Sequence, residues 1–249
     1  MGPVVIDFQL KPAAQATWDT GGRDFVQYRD LGSTDATGGK IRFEHDRVIG
    51  SSPNKETGWH CHHLELQFLY VLKGWLRLSV HGMRAFELHA GAAAILPGGL
   101  AHDETAFSDD YEVLHILVPP KYRTQILSPP AADTYPTNQI ILSATDQKTK
   151  ADGRGWDLLC ANLSERHALV AKRFEANAAV NAAIPVPIGH QFLFVLSGNA
   201  SLSANAERFP VSAYDAAILP ESSSYTLSQL TPDFGVLAIR IVEISPALP

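Results

Sequence analysis

Two stretches of this chain nearly repeat each other. Residues 67–74 read QFLYVLKG and residues 191–198 read QFLFVLSG, with six identities in eight positions at an offset of 124. Residues 93–97 and 216–220 both read AAILP, at an offset of 123. Arg42-Phe43-Glu44 matches Arg173-Phe174-Glu175 at an offset of 131, so copy one has seven more residues between this triplet and the glutamine. Self-similarity of this kind means two copies of one structural unit. The repeated runs are short, apolar and bounded by Gly, Pro, Asn or Asp. Trp75 to Val80 alternates with period two, and Tyr111 to Leu117 does so in part. Such runs predict an all-β chain, folded as a sandwich or barrel in each copy. No long segment has a 3.6-residue period, and a short helix is expected only near residues 121–127. The Pro-rich stretch 118–138 reads as the connector.

Copy one carries a polar pattern that copy two lacks. Residues 60–74 read H-x-H-x4-Q-x6-G (His60, His62, Gln67, Gly74), and residues 91–102 read G-x5-P-x-G-x2-H (Gly91, Pro97, Gly99, His102). Strand positions i and i+2 share a face, so His60 and His62 can offer both imidazoles to one ion while Cys61 points away. Gln67 joins them after a turn or bulge. His102 follows a Pro-Gly-Gly turn on a separate hairpin. Three imidazoles and an amide oxygen are a donor set for one divalent transition metal: Fe2+, Mn2+, Ni2+ or Zn2+ by ligand type. Glu65 shares strand parity with Gln67 and is a rival ligand or a substrate contact, but the spacing to Gly74 favours Gln67. In copy two the equivalent positions are Ile184, Val186 and Tyr225, as a packed, metal-free barrel would need.

The two-part pattern resembles the cupin family. That resemblance covers nearly the whole chain and implies two tandem cupin barrels (double-stranded β-helix, or jelly roll), with both motifs intact only in the first. The expected organisation is an N-terminal arm over residues 1–25, a metal-binding barrel over 26–120, a linker over 121–150 and a degenerate barrel over 151–249. The family more often has Glu where this chain has Gln67. Four neutral donors would leave a divalent ion its full +2 charge, which favours an anionic substrate and disfavours oxidation of Fe(II).

Tyr111, Val113, His115 and Leu117 share one face by strand parity, and the resemblance to cupins implies that this face lines the cup. His115 or Tyr111 is therefore a candidate acid/base beside the metal. Trp59 could wall the entrance. Arg42 could pair with a substrate carboxylate, although the retention of Arg173 in copy two speaks for a structural role. His63 has the opposite parity and is expected outside, and Tyr70 reads as packing.

Composition narrows the partners. The net charge is −6, with 18% charged residues, and pI is near 5.9. Neither nucleic acid nor an anionic membrane surface suits such a chain, since both need clustered Lys and Arg. No run of 18 apolar residues appears, so no membrane span is expected. The N-terminus lacks a basic, apolar leader, which makes the cytoplasm the expected location. The two cysteines fall in different copies and make no disulfide framework. The partner is a small-molecule substrate, and a homodimer is possible. Resemblance to metal-dependent bicupins implies a dioxygenase or related oxidoreductase. The alternatives are a non-redox isomerase, lyase or decarboxylase, or a non-catalytic small-ligand sensor. The sequence does not identify the substrate.

Overall fold

The computed structural model describes residues 8–50, 56–128, 141–142, 156–162, 167–176, 189–220 and 223–243. They form antiparallel strands with one short helix, Ser33–Ala36, and one 3-10 turn, Ala13–Gln15. The all-β expectation is met. Contacts divide the chain into two compact units. One comprises Thr17–Thr34 and Gly39–Thr145, and the other comprises Met1–Ala16, Asp35–Gly38 and Asp146–Pro249.

The first unit is a jelly roll of two sheets. The seven-stranded sheet runs in the order Ile141–Leu142, Ala93–Pro97, Leu66–Lys73, Glu112–Val118, Arg42–Val48, Val26–Asp30, Asp19–Thr20. The five-stranded sheet runs Arg123–Ile126, His60–His63, His102–Phe107, Trp75–Val80, Phe86–His89. Period-two alternation sorts each strand into an inward and an outward set. Leu69, Val71, Ala94 and Leu96 of the first sheet meet Leu76, Leu78, Val80 and Leu88 of the second in one buried cluster. Each fully buried Leu or Val there contributes about 1.5–3 kcal/mol. The inward face continues past this cluster with polar side chains, and a cavity of about 550 Å³ opens among them.

Residues 123–126 form a strand rather than the expected helix. Arg123, Thr124, Gln125 and Ile126 pair with His63, His62, Cys61 and His60. The free edge of His60–His63 supplies a row of backbone hydrogen-bonding groups, and pairing with it outweighs a weak local preference for helix. Positions 129–138 of the expected connector lie outside the described residues.

In the second unit, a six-stranded sheet runs Gln9–Lys11, Ala216–Leu219, His190–Ser197, Gly235–Glu243, His167–Glu175, Trp156–Asn162. A three-stranded sheet runs Glu207–Ser212, Asn199–Ala204, Tyr225–Ser228. Leu193, Val195 and Leu219 pack with Leu202, Val211 and Leu227 in its core. Residues 8–25 contribute a strand to each unit. Gln9–Lys11 extends the six-stranded sheet, where the Ala13 N–H also donates to Asp215 Oδ1 at 2.6 Å. Asp19–Thr20 pairs within the first unit.

Two of the three repeat matches are structurally equivalent. Gln67 pairs with Leu96 and Gln191 with Leu219, at the same points of the repeated segments. The Arg-Phe-Glu triplets are not equivalent. Arg42 and Glu44 line the first cavity, whereas Lys172 and Phe174 line the corresponding one in the second unit. Arg173 pairs with Glu175 at 3.0 Å. Arg42 lies opposite Leu117, but Val170 lies opposite Arg240, the counterpart of Leu117, so the triplets are three residues out of register, and an odd slip moves every side chain to the other face. Arg173 therefore says nothing about Arg42, and the seven-residue difference is not a measure of the missing segment.

A glycine clamps the cup together. A Cβ on Gly98 would lie 1.7 Å from the carbonyl oxygen of Leu64, and the N–H of Gly99 donates to the carbonyl of His62 at 2.9 Å. This turn joins the end of one histidine-bearing strand to the start of the other. Gly98→Ala is expected to lower stability by about 1–3 kcal/mol through overpacking, measured as a shifted urea midpoint at unchanged slope.

Candidate metal centre

His60 and His62 project from one strand of the five-stranded sheet, and His102 from its neighbour, where it pairs with His60. A ligand nitrogen from each of the three lies within 4.8 Å of the others. Each ring has its Nδ1 engaged: His60 with the carbonyl of Gly58 at 2.6 Å, His62 with Thr124 Oγ1 at 3.0 Å and His102 with the carbonyl of Leu100 at 2.9 Å. That fixes the rings and leaves Nε2 as the donor nitrogen, the arrangement by which outer partners orient metal-ligating histidines. Burial, with the neighbouring His102 and His60, pulls His62 down to about 3. Burial and His60 pull His102 down to about 4. Both rings are therefore neutral near pH 7, as ligation requires.

Gln67 enters from the opposing sheet and lines the same cavity. Its Oε1 and the Nε2 of His102 are sequestered from solvent without a hydrogen-bond partner. Buried polar atoms without partners are costly, and a shared cation would satisfy both. The second unit supplies the contrast. Gln191, at the equivalent position, turns its amide to donate to the carbonyls of Pro220 and Ser223 at 3.4 and 3.3 Å. Tyr225 takes the place of His102, pairing with Ala204 as His102 pairs with Val80. The counterparts of His60 and His62, Ile184 and Val186, lie outside the described residues.

The wall facing these donors is acidic and titratable. Glu44, Asp46 and His115 bring one ligand atom each within 4.8 Å of one another. His115 Nδ1 lies 2.8 Å from Asp46 Oδ2, while its Nε2 and Asp46 Oδ1 have no partner. Glu44 forms an ion pair with Arg42. Burial, then the Asp46 charge, push the Glu44 carboxyl up to about 7 against the pull of Arg42. Burial alone would lower His115, but the hydrogen bond and charge of Asp46 outweigh it and raise the ring above its ordinary value. Burial, then Asp46, raise Tyr28 to about 12.

Most residues singled out in the sequence meet in this cup. His60, His62, Gln67, Arg42, Tyr111 and His115 line it, and His102 closes the histidine set. Tyr111 is buried with its hydroxyl unpartnered. Two residues do not line it. Trp59 directly precedes His60, so strand alternation turns it from the cup, and it is half-buried. Glu65 is exposed, because Leu64 and Glu65 form a bend that breaks the parity it would have shared with Gln67. His63 is outside, as expected, 3.1 Å from Gln125 Oε1. Asp46, Tyr28, Tyr122 and Arg23 also line the cavity and escaped the sequence reading. The alternation Arg42-x-Glu44-x-Asp46 carried the signal for the acidic wall.

Comparison with known proteins follows this geometry. Residues 48–118 match the cupin domain family. No curated protein sequence matches the chain. Protein Ylba from E. coli superposes with a TM-score of 0.66 at 15% identity, covering 95% of this chain and 91% of that one. Oxalate decarboxylase from Bacillus subtilis, a protein with Mn(II) centers, superposes with a TM-score of 0.63 at 12% identity, covering 94% and 79%. A second structure of that enzyme, carrying a single substitution, gives 0.63 at 13% identity, again covering 94% and 79%. At these identities the likeness is one of fold, and the fold is the cupin-like jelly roll.

The purified protein is expected to carry about one equivalent of a transition metal, and His102→Ala to lose at least about tenfold in occupancy, both read by plasma mass spectrometry. Stability should also report Glu44. Folding raises its carboxyl from 4.5 to about 7, so its proton is held more tightly in the folded state. That contribution is fully present below a pH of about 4.5 and is lost as pH rises through about 7. Glu44→Gln is expected to flatten the fall in thermal midpoint across this window, measured by calorimetry.

Proposed function

We propose that the first barrel is a metal-dependent enzyme site performing proton transfer on a small, enolisable and anionic substrate, in the isomerase, lyase or decarboxylase class. The observation that carries this reading is the pairing, across one cavity of about 550 Å³, of the His60/His62/His102/Gln67 donor set with the His115–Asp46 pair. Imidazole and amide donors suit Mn2+, Fe2+, Ni2+ or Zn2+, and the Mn(II) centers of the oxalate decarboxylase structures make manganese the first to test. A divalent ion held there would act as a Lewis acid toward a carbonyl or enolate oxygen.

The chain's own residues do the remaining work. His115 lines the cavity with its Nε2 buried and unpartnered, a nitrogen that would take a proton from carbon or oxygen of a bound substrate. Glu44, poised near neutrality, can hold or return one. The three arginines lining the cavity are each engaged: Arg23 with Glu104, Arg42 with Glu44 and Arg47 with Gln27. Two of the three are paired with carboxylates, so a divalent ion, which four neutral donors would leave at its full charge, would supply most of the attraction for an anion.

A dioxygenase is the second reading. His60, His62, His102 and Gln67 would hold an ion that could support O2 chemistry on a bound substrate. A panel of small keto, β-keto and enol acids, followed by proton NMR in deuterated buffer alongside an oxygen electrode, separates the two. The expected result is deuterium incorporation or product formation without O2 uptake, lost in His115→Gln. Metal-dependent O2 uptake would establish the dioxygenase. Binding with neither would identify a small-ligand sensor.

A further inference from the structure

We propose that Asp46 is a positioning residue for His115, holding the ring in the tautomer whose Nε2 carries the lone pair. The inference rests on the reading of His115 as the acid/base. Strand register brings the three groups together: His115 lies directly opposite Glu44, and Asp46 is two residues further along the same face. On its other side His115 faces Leu69, so the ring receives no competing charge from that strand. The remaining charged groups toward it are Glu104 from the five-stranded sheet, which pairs with Arg23 at 3.4 Å, and His62, which the ring influences in turn. The Tyr28 and Tyr111 hydroxyls line the same cavity.

An imidazole hydrogen-bonded to a carboxylate keeps its proton on that nitrogen and leaves the other as an acceptor. The 2.8 Å contact between His115 Nδ1 and Asp46 Oδ2 therefore makes Nδ1 the protonated nitrogen and Nε2 the lone pair. A purely structural pair would find partners for its remaining atoms. Here Asp46 is 5% exposed, yet its Oδ1 and the Nε2 of His115 have none. The ring is thus held on one side and buried without a partner on the other. When Nε2 takes a proton, one C–H or O–H bond of the substrate breaks, one N–H bond forms, and the imidazolium is stabilised by the carboxylate already beside it.

The test reads the ring itself. The full-length chain, loaded with Zn(II) and labelled with 15N-histidine, is followed by two-bond 1H–15N correlation, with His115 assigned from His115→Gln. The expected wild-type pattern is the Nδ1-protonated ring. In Asp46→Asn the ring is expected to mix tautomers and its titration midpoint to fall by about one unit or more, with partial recovery in Asp46→Glu. Asp46→Ser provides the same reading should the amide variant not fold. A wild-type ring protonated at Nε2, or a pattern unchanged in Asp46→Asn, would overturn the proposal. So would a second equivalent of zinc that persists in His102→Ala and disappears in Asp46→Asn, since the three residues would then be ligands. His102→Ala should empty the histidine centre and leave the His115 pattern intact, so failure of the metal reading and failure of this inference give different results.

Discussion

The register between two short strands organises the site. His102 sits opposite His60 on one side and Val80 on the other. The first pairing brings the third imidazole to the other two. The second ties the histidine-bearing strands to the apolar hairpin that fills the closed end of the barrel. A slip by one residue would turn His102 outward and its neighbours Ala101 and Asp103 toward the cup. The register is held locally by the Gly98–Gly99 turn, whose close approach to Leu64 admits no side chain, and by the packing of Leu76, Leu78 and Val80 beneath it.

That arrangement divides the barrel interior by polarity. The two sheets meet through Leu and Val at one end, where dry packing supplies most of the stability. At the other end they present opposite chemistry. Neutral imidazoles and an amide project from around the His60–His63 strand and from Gln67, while a carboxylate–imidazole cluster projects from Arg42–Val48 and Glu112–Val118. Low local polarity drives both halves, keeping His62 and His102 deprotonated and Glu44 reluctant to ionise. Burial thus leaves the imidazoles neutral, as a cation would require, and holds Glu44 near neutrality, as proton exchange would require, for the same physical reason.

The second unit makes the point by contrast. It keeps the strand order, the glutamine and the Ala-Ala-Ile-Leu-Pro strand, but Gln191 is spent on backbone carbonyls and Tyr225 stands where His102 would be. The barrel does not require the polar residues for its architecture. Their presence in the first unit, with Gln67 Oε1 and His102 Nε2 buried and unpartnered, is a cost to folding that a bound cation would offset.

Period-two alternation, the glycine-bounded runs and the near-identical repeats made the all-β fold legible from sequence alone. The motif spacing singled out His60, His62 and His102, whose ring nitrogens meet in the fold, and Gln67, which lines the same cavity with Tyr111 and His115. These signals are local, since alternation depends only on the pleat of one strand. Parity fails where the chain bends, which is why Glu65 was a rival ligand in sequence and is an exposed residue in the fold. It also fails across a shifted register, which is why the Arg-Phe-Glu triplets match in letters and not in space. The edge strand Arg123–Ile126, the approach of Arg23 to the cavity and the meeting of Glu44, Asp46 and His115 were decided only by tertiary structure. Each depends on which strands become neighbours, and pairing between distant segments, with the burial that shifts their charges, leaves no mark in the local sequence.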